Sequence, residues 1–241
     1  MLGLGHGVQS DTVGLAEIYA NRYSLAFNGT DEYVEINAAG NDMAPATAGT
    51  ISMWAIMEAT TGSATLIRGG VSADPITNEI FIFWHNSADQ IRFVYKAGGT
   101  TKRIDWDATD LNHSAWIHFA MTWSAGDDEL KAYINGTQVG STIGSLGTFS
   151  GTINDMDLGR NPADGAYFKG QMDEVSIWTS VMDISELYNG GVRRNVEFSG
   201  LDSTKLAAYY QFEEGAGTTT ADESGNGNTG NLNNTPTWTA L

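Results

Sequence analysis

The chain contains no cysteine, which excludes disulfides, thiolate metal centres and cysteine nucleophiles and leaves the compartment open. Proline is nearly as scarce: 4 prolines against 29 glycines, a balance that suits short strands joined by Gly-, Asn- and Asp-containing turns. Positive charge is the third shortage. Twelve basic residues against 29 acidic ones give a formal charge of −17. Binding to nucleic acid through phosphate neutralisation needs the opposite balance and is set aside. No apolar run approaches transmembrane length. The first residues, Met1-Leu2-Gly3-Leu4-Gly5-His6-Gly7, have neither the basic region nor the apolar stretch of a secretory signal.

What is present reads as strands at short spacing. Alternation marks Tyr23–Phe27, a turn at Asn28-Gly29-Thr30-Asp31, and a second strand over Glu32–Ile36. Thr50–Met57 is apolar on both faces, as a central strand covered on each side would be. Ala64–Arg68 follows more weakly. Glu79–His85 and Gln90–Lys96 flank the polar connection Asn86–Asp89. Trp116–Trp123 is the most hydrophobic strand, and Glu129–Ile134 runs into the hairpin signal Asn135-Gly136. A strand ends at Asp157–Gly159, and Leu206–Phe212 closes the series. One helix is predicted, capped by Asp183 with Glu186 three residues on and stopped by Gly190. The fold class is therefore all-β: a two-sheet antiparallel jelly-roll sandwich with one short helix, over residues 23–241. Residues 1–22 are Gly-rich and weakly patterned, and are expected to be an anchoring arm that docks on a partner, a second copy or the body itself.

The stretch Phe168–Trp178 carries the sharpest chemical question. Period two puts Asp173, Val175 and Ile177 on one face and Met172, Glu174, Ser176 and Trp178 on the other. An inward Asp173 needs a partner: a distant arginine, a bound cation, or backbone N–H groups at a β-bulge. In Asp222-Glu223-Ser224-Gly225-Asn226-Gly227-Asn228, a carboxylate and Gly-turned carbonyls suit either an ion or a plain Asn-Gly turn.

Catalysis lacks a residue set. Retaining glycoside hydrolysis wants two carboxyls about 5–5.5 Å apart. Glu32 with Glu35 and Asp173 with Glu174 fall on opposite faces of a regular strand. Asp105 and Asp107 share a face but lie beside a loop. The four histidines form no HExxH, and no G-x-S-x-G occurs. Trp84 and Trp106, flanked by polar residues, are the aromatics expected to reach a glycan, against an interior packing role for both.

The order of these pieces resembles the laminin-G-like, concanavalin A-like jelly rolls. The likeness rests on Ser24–Val34, Ile51–Trp54, Trp116–Trp123 with Leu130–Gly136, the F-x-G-x-hydrophobic-D-E-V run at Phe168, Leu206–Phe212 and Asp222–Asn228. It covers residues 23 to about 235. The resemblance implies structural calcium at one rim, held by Asp173 with Asn28, Gly29 and Asp31, and a second candidate at Asp222 and Asn226. The superfold hosts lectins, adhesion modules, glycanases and virion parts, and with no catalytic set the expectation is a non-catalytic protein binding a glycan or cell-surface polysaccharide. The acidity, the unprocessed-looking start and the arm add an expected place on a virion surface, as a capsid decoration or tail-fibre protein. Residues 1–22 would then bind other virion proteins or a second copy. The alternative is a calcium-dependent lectin, extracellular or on a bacterial surface; a glycanase ranks below both.

Overall fold

The structure, a computed structural model, describes residues 21–58, 62–72, 77–161, 163, 165–193 and 200–241. The expected arm, apart from Asn21 and Arg22, lies outside them. The described residues form two eight-stranded antiparallel sheets. The first runs β10 (Thr137–Ile143), β9 (Glu129–Ile134), β8 (Ile117–Ser124), β3 (Ala48–Met57), β12 (Lys169–Trp178), β1 (Tyr23–Asn28) and β16 (Thr237–Ala240), with β13 (Leu206–Tyr210) also pairing β12. The second runs β14 (Thr219–Thr220), β15 (Gly230–Asn233), β2 (Tyr33–Glu35), β11 (Asp155–Leu158), β4 (Ala64–Gly70), β5 (Glu79–His85), β6 (Gln90–Ala97) and β7 (Thr100–Asp107).

Alternation decides which side chains fill the space between the sheets. Ile80, Ile82 and Trp84 of β5 point inward, as do Ile91, Phe93 and Tyr95 of β6. They meet Met53 and Ala55 of β3 and Phe119, Met121 and Trp123 of β8. As expected, β3 and β8 are buried on both faces. The reason is a second apolar cluster outside the first sheet. Trp178, Leu206, Tyr209 and Ala120 pack there against Ile184 and Leu187 of α2 (Ile184–Tyr188). The described part of the β12–β13 connection that carries α2 thus folds back over the first sheet as a cover.

Local chemistry agrees with the sequence at two turns. The Asn135-Gly136 hairpin takes positive φ at both residues (48° and 73°), as the tight turn requires. Asp183 caps α2 by accepting from Ser185 N, and the left-handed stop falls on Asn189, one residue before Gly190. A further short helix, α1 (Asn37–Asp42), has no side-chain cap, and the strands β7, β14, β15 and β16 carry too little apolar pattern to announce themselves. No described helix is long and apolar enough to cross a membrane.

The expected parity of Phe168–Trp178 is corrected. Its pairing with β3 shifts register between Asp173 and Ser176, and Glu174 has φ 51°. This is a β-bulge, which adds one residue and resets the alternation. Met172, Val175 and Ile177 all face the core, while Asp173 lies opposite Trp54 and outside the core cluster. Gly170 makes the strand's close approach possible: its φ is 141°, and a Cβ there would stand 1.9 Å from Ile56 O. Gly170→Ala is expected to cost more than about 4 kcal/mol, the range of backbone clashes in a core strand. Urea unfolding with a wild-type midpoint would contradict this placement of β12.

Candidate functional site

Two regions collect chemically capable side chains, and they differ in access. The first lies under the cover, on the outer face of the first sheet. Asp173 is fully buried there. Its Oδ2 accepts from Arg193 Nη1 at 2.5 Å and Asn21 Nδ2 at 2.8 Å, and its Oδ1 accepts from Glu174 N at 3.0 Å. The guanidinium of Arg193 also lies 4.1 Å from the Trp116 ring centroid. Burial pushes the Asp173 carboxyl up to about 7, against the opposing pull of Asn21 and Arg193, and nearby Glu213 adds to the rise. Glu174, also buried, accepts from the Tyr209 hydroxyl. Beside them His118 Nε2 is 2.7 Å from Ser52 Oγ, and burial lowers the ring to about 3, so it is neutral at physiological pH. None of these groups has the exposure a substrate would need.

Asp173 has an arginine partner, one of those expected, and the residues expected to share a calcium ion with it are separated. Asn28 pairs with Lys169, four residues along β12 from Asp173, roughly 13 Å at strand rise. Asn28 Oδ1 accepts from Thr30 N and Asp31 N, and its amide donates to Asp31 Oδ1, so the Asn28-Gly29-Thr30-Asp31 turn closes on itself. A cation at Asp173 would stand beside the Arg193 guanidinium and displace it. The Asp222 loop shows the metal-free alternative. Asp222 accepts from the backbone N–H groups of Tyr209, Ser224 and Asn228. Asn226 presents amide hydrogens, to Leu206 O and Ala207 O, where an ion needs oxygen. Among the described residues no three His, Asp or Glu side chains are grouped to hold a metal. The donor sets therefore do not fit calcium.

The second region is the outer face of the second sheet, which α2 does not cover. Along β5, Phe81, Phe83 and His85 alternate with the inward residues and remain half-buried. Phe81 and Phe83 have ring centroids 5.0 Å apart, and Phe83 and His85 6.1 Å. Across the strands from them lie charged partners: Phe81 sits between Arg68 and Val94, and Phe83 between Thr65 and Arg92. Arg92 stands 5.8 Å from the Phe83 ring centroid. On the next strand Arg103 and Arg92 both turn to Asp105 Oδ1, at 2.7 and 3.6 Å. Arg68 is buried against Asp155 at 3.0 Å and Glu79 at 3.5 Å. A platform of aromatic edges and faces with polar groups at its margin is the arrangement that holds a sugar ring.

Trp84 and Trp106, the aromatics singled out from sequence, are not on this platform. Trp84 is in the core, its Nε1 donating to Asp89 Oδ1 at 3.1 Å and its ring edge-on to His113. Trp106 pairs with inward Ile91 and packs, half-buried, on the same core. Both follow their interior alternative, because polar sequence neighbours in a strand belong to the opposite face. The Phe81-x-Phe83-x-His85 alternation was legible; what it could not reveal was which of the two interleaved sets faces the other sheet.

The carboxylates do not assemble a hydrolytic pair. Asp107 shares the outer face with Asp105, but hydrogen bonds from the Thr109 hydroxyl and N–H hold it below the usual carboxylate range. Asp105 is ion-paired with the two arginines. A general acid needs a raised pKa. On this sheet burial raises Asp157 to about 6, yet it is clamped by both Nε and Nη2 of Arg160 and inaccessible. It also lies four strands from β7, roughly 19 Å at strand spacing.

The architecture and this platform define a class: a jelly-roll sandwich with one covered and one open sheet face. The chain belongs to the concanavalin A-like lectin/glucanases superfamily, whose Laminin_G_3 model matches residues 28–187. Among solved structures it is similar to a candidate carbohydrate binding protein from Bacteroides ovatus, at 18% identity and TM-score 0.62. That alignment covers 91% of this chain and 60% of the other, so the chain spans about three fifths of that protein's length. It is also similar to the CBM40 of Ruminococcus gnavus IT-sialidase bound to α2,3-sialyllactose, at 13% identity and TM-score 0.55, covering 71% of this chain and 98% of that one. A third is domain 4 of the Geobacillus stearothermophilus arabinanase AbnA in complex with arabinotriose, at 19% identity and TM-score 0.51, covering 70% and 76%. A search of curated proteins found no match.

Two outcomes follow from the geometry. Because folding raises the Asp173 pKa from its ordinary value to about 7, the native state holds the extra proton between about pH 4 and 7. Its stabilising contribution is complete at the acid end and is lost as pH rises through that window. Wild type should therefore lose stability relative to Asp173→Asn between pH 4 and 7 in denaturant melts; parallel curves for the two proteins would refute the assignment. Calcium and chelator should each leave the melting temperature unchanged within about 1 °C; a shift of several degrees would demonstrate a cation the donor sets do not suggest.

Proposed function

We propose that this chain is a non-catalytic carbohydrate-binding module that holds its ligand on the outer face of the second sheet. One observation carries the reading: α2 and its described neighbours cover the first sheet, while no described residue forms such a layer over the half-buried Phe81, Phe83 and His85 stripe on the second, which is flanked by Arg92. Membership of a lectin and glucanase superfamily supports it, as do similar structures whose names state carbohydrate binding or a bound saccharide. On the open face Asp105 is ion-paired and Asp107 is held below the usual carboxylate range, which supports binding without turnover there.

The expected place on a virion finds no support in these comparisons. They stand closer to the alternative, an extracellular or bacterial-surface module that attaches to polysaccharide, and that is the setting proposed. Calcium dependence is not part of it.

The test is binding to a panel of immobilised glycans, followed by isothermal titration on hits. Phe83→Ala should weaken binding tenfold or more, the loss typical of a central aromatic anchor, with the melting temperature nearly unchanged. Trp84→Phe should leave binding intact. Equal affinity for wild type and Phe83→Ala would move the site off this face. Reducing-end release from bound glycans, absent from a denatured control, would refute the non-catalytic reading.

A further inference from the structure

We infer that the sugar held on this face is acidic: its carboxylate is met by Arg92 and Arg103 while its ring rests on Phe83. The inference rests on the proposed binding function and names the class of ligand.

The argument is one of unequal pairing. Arg92 and Arg103 converge on a single carboxylate oxygen, Asp105 Oδ1, at 3.6 and 2.7 Å. Two guanidinium charges thus share one carboxylate charge. The next carboxylate along β7, Asp107, is turned to Thr109. The two cations feel each other: burial and, after it, Arg103 both push the Arg92 pKa below the ordinary guanidinium value. An anion beside them would relieve that repulsion.

The pairing is also poorly aligned. Arg92 Nε and Asp105 Oδ1 are buried atoms, and neither has a hydrogen-bond partner despite the ion pairs. Arg92 donates only from Nη2, to Gln90 Oε1 at 3.3 Å. The Arg103 side chain is 44% exposed, so its fork is open to solvent. Donors that are held in place yet unengaged are what a planar acceptor needs, and a guanidinium fork matches a carboxylate with two parallel bonds. The position completes the case. The Arg92 guanidinium carbon stands 5.8 Å from the Phe83 ring centroid, so a carboxylate bound to it belongs to a sugar seated beside it along the stripe.

The overall charge of −17 makes this specific. A chain so acidic repels polyanions in general, so anion binding here requires a local site.

The experiment compares matched pairs by titration calorimetry: trigalacturonate against its methyl ester, α2,3-sialyllactose against lactose, and 3′-sulfolactose against lactose. Each is measured with wild type, Arg103→Gln and Phe83→Ala, with melting temperatures as folding controls. The expected result is at least tenfold tighter binding of a carboxylated member than of its neutral partner, the size of one charge-assisted hydrogen bond. Arg103→Gln should erase that preference, and Arg103→Lys should restore it only in part. Equal binding of acidic and neutral partners, unchanged in Arg103→Gln, would overturn the acidic assignment and leave the glycan-binding function standing. Tighter binding of 3′-sulfolactose than of any carboxylate would overturn the carboxylate in favour of a sulfate. No binding by any sugar, with Phe83→Ala indistinguishable from wild type, would remove both readings.

Discussion

The bulge at Asp173-Glu174 is the constraint on which the remaining architecture depends. β12 lies at the middle of the first sheet and must put Met172, Val175 and Ile177 into one core. Two of those positions are three apart, which a regular strand cannot bring to one face. The extra residue allows it and sends two carboxylates to the opposite side. A buried Asp173 is tolerable there only because Arg193, Asn21 and the Glu174 N–H supply its partners. Arg193 follows α2 within the connection between β12 and β13, so the same bulge helps to fix the cover in place.

Covering one sheet settles where a ligand has room. The first sheet's outer face is filled by Trp178, Leu206, Tyr209, Ile184 and Leu187. The Trp54 ring stacks at 5.7 Å on Tyr188 of α2. Among the described residues no such layer lies over Phe81 and Phe83, and both remain half-buried. Aromatic area left in water on an otherwise acidic, polar surface costs solubility, and a binding role accounts for it. Of the ion pairs around the stripe, the one made by the exposed Arg103 adds little stability and leaves that guanidinium available for recognition.

Much of the fold was legible. The alternating runs from Tyr23 to Phe212 became strands, Asn135-Gly136 became a hairpin, and Asp183 became a helix cap. Each of these is decided within a few neighbouring residues. β7, β14, β15 and β16 were not, since short or polar edge strands pair by backbone and show little apolar pattern. The candidate site was legible only in pieces. Phe81, Phe83, Arg92, Arg103 and Asp105 come from three strands, and only their register makes them neighbours. Trp84 and Trp106 drew attention by their polar neighbours, which in a strand is evidence for the opposite face.

By itself, the sequence determined the class: an acidic, cysteine-free all-β sandwich with period-two strands, Gly and Asn turns and a single apolar central hairpin. Those features arise from local sterics and from the alternation of a pleated strand, both of which operate within one segment. Tertiary structure alone decided which face each alternating set occupies, that Asp173 meets Arg193 across 20 residues, and that two arginines share one aspartate beside Phe83. Those outcomes depend on a bulge, on register between strands distant in sequence, and on which sheet the β12–β13 connection crosses. A one-residue change in any of them turns a side chain from core to solvent, and no local pattern encodes that choice.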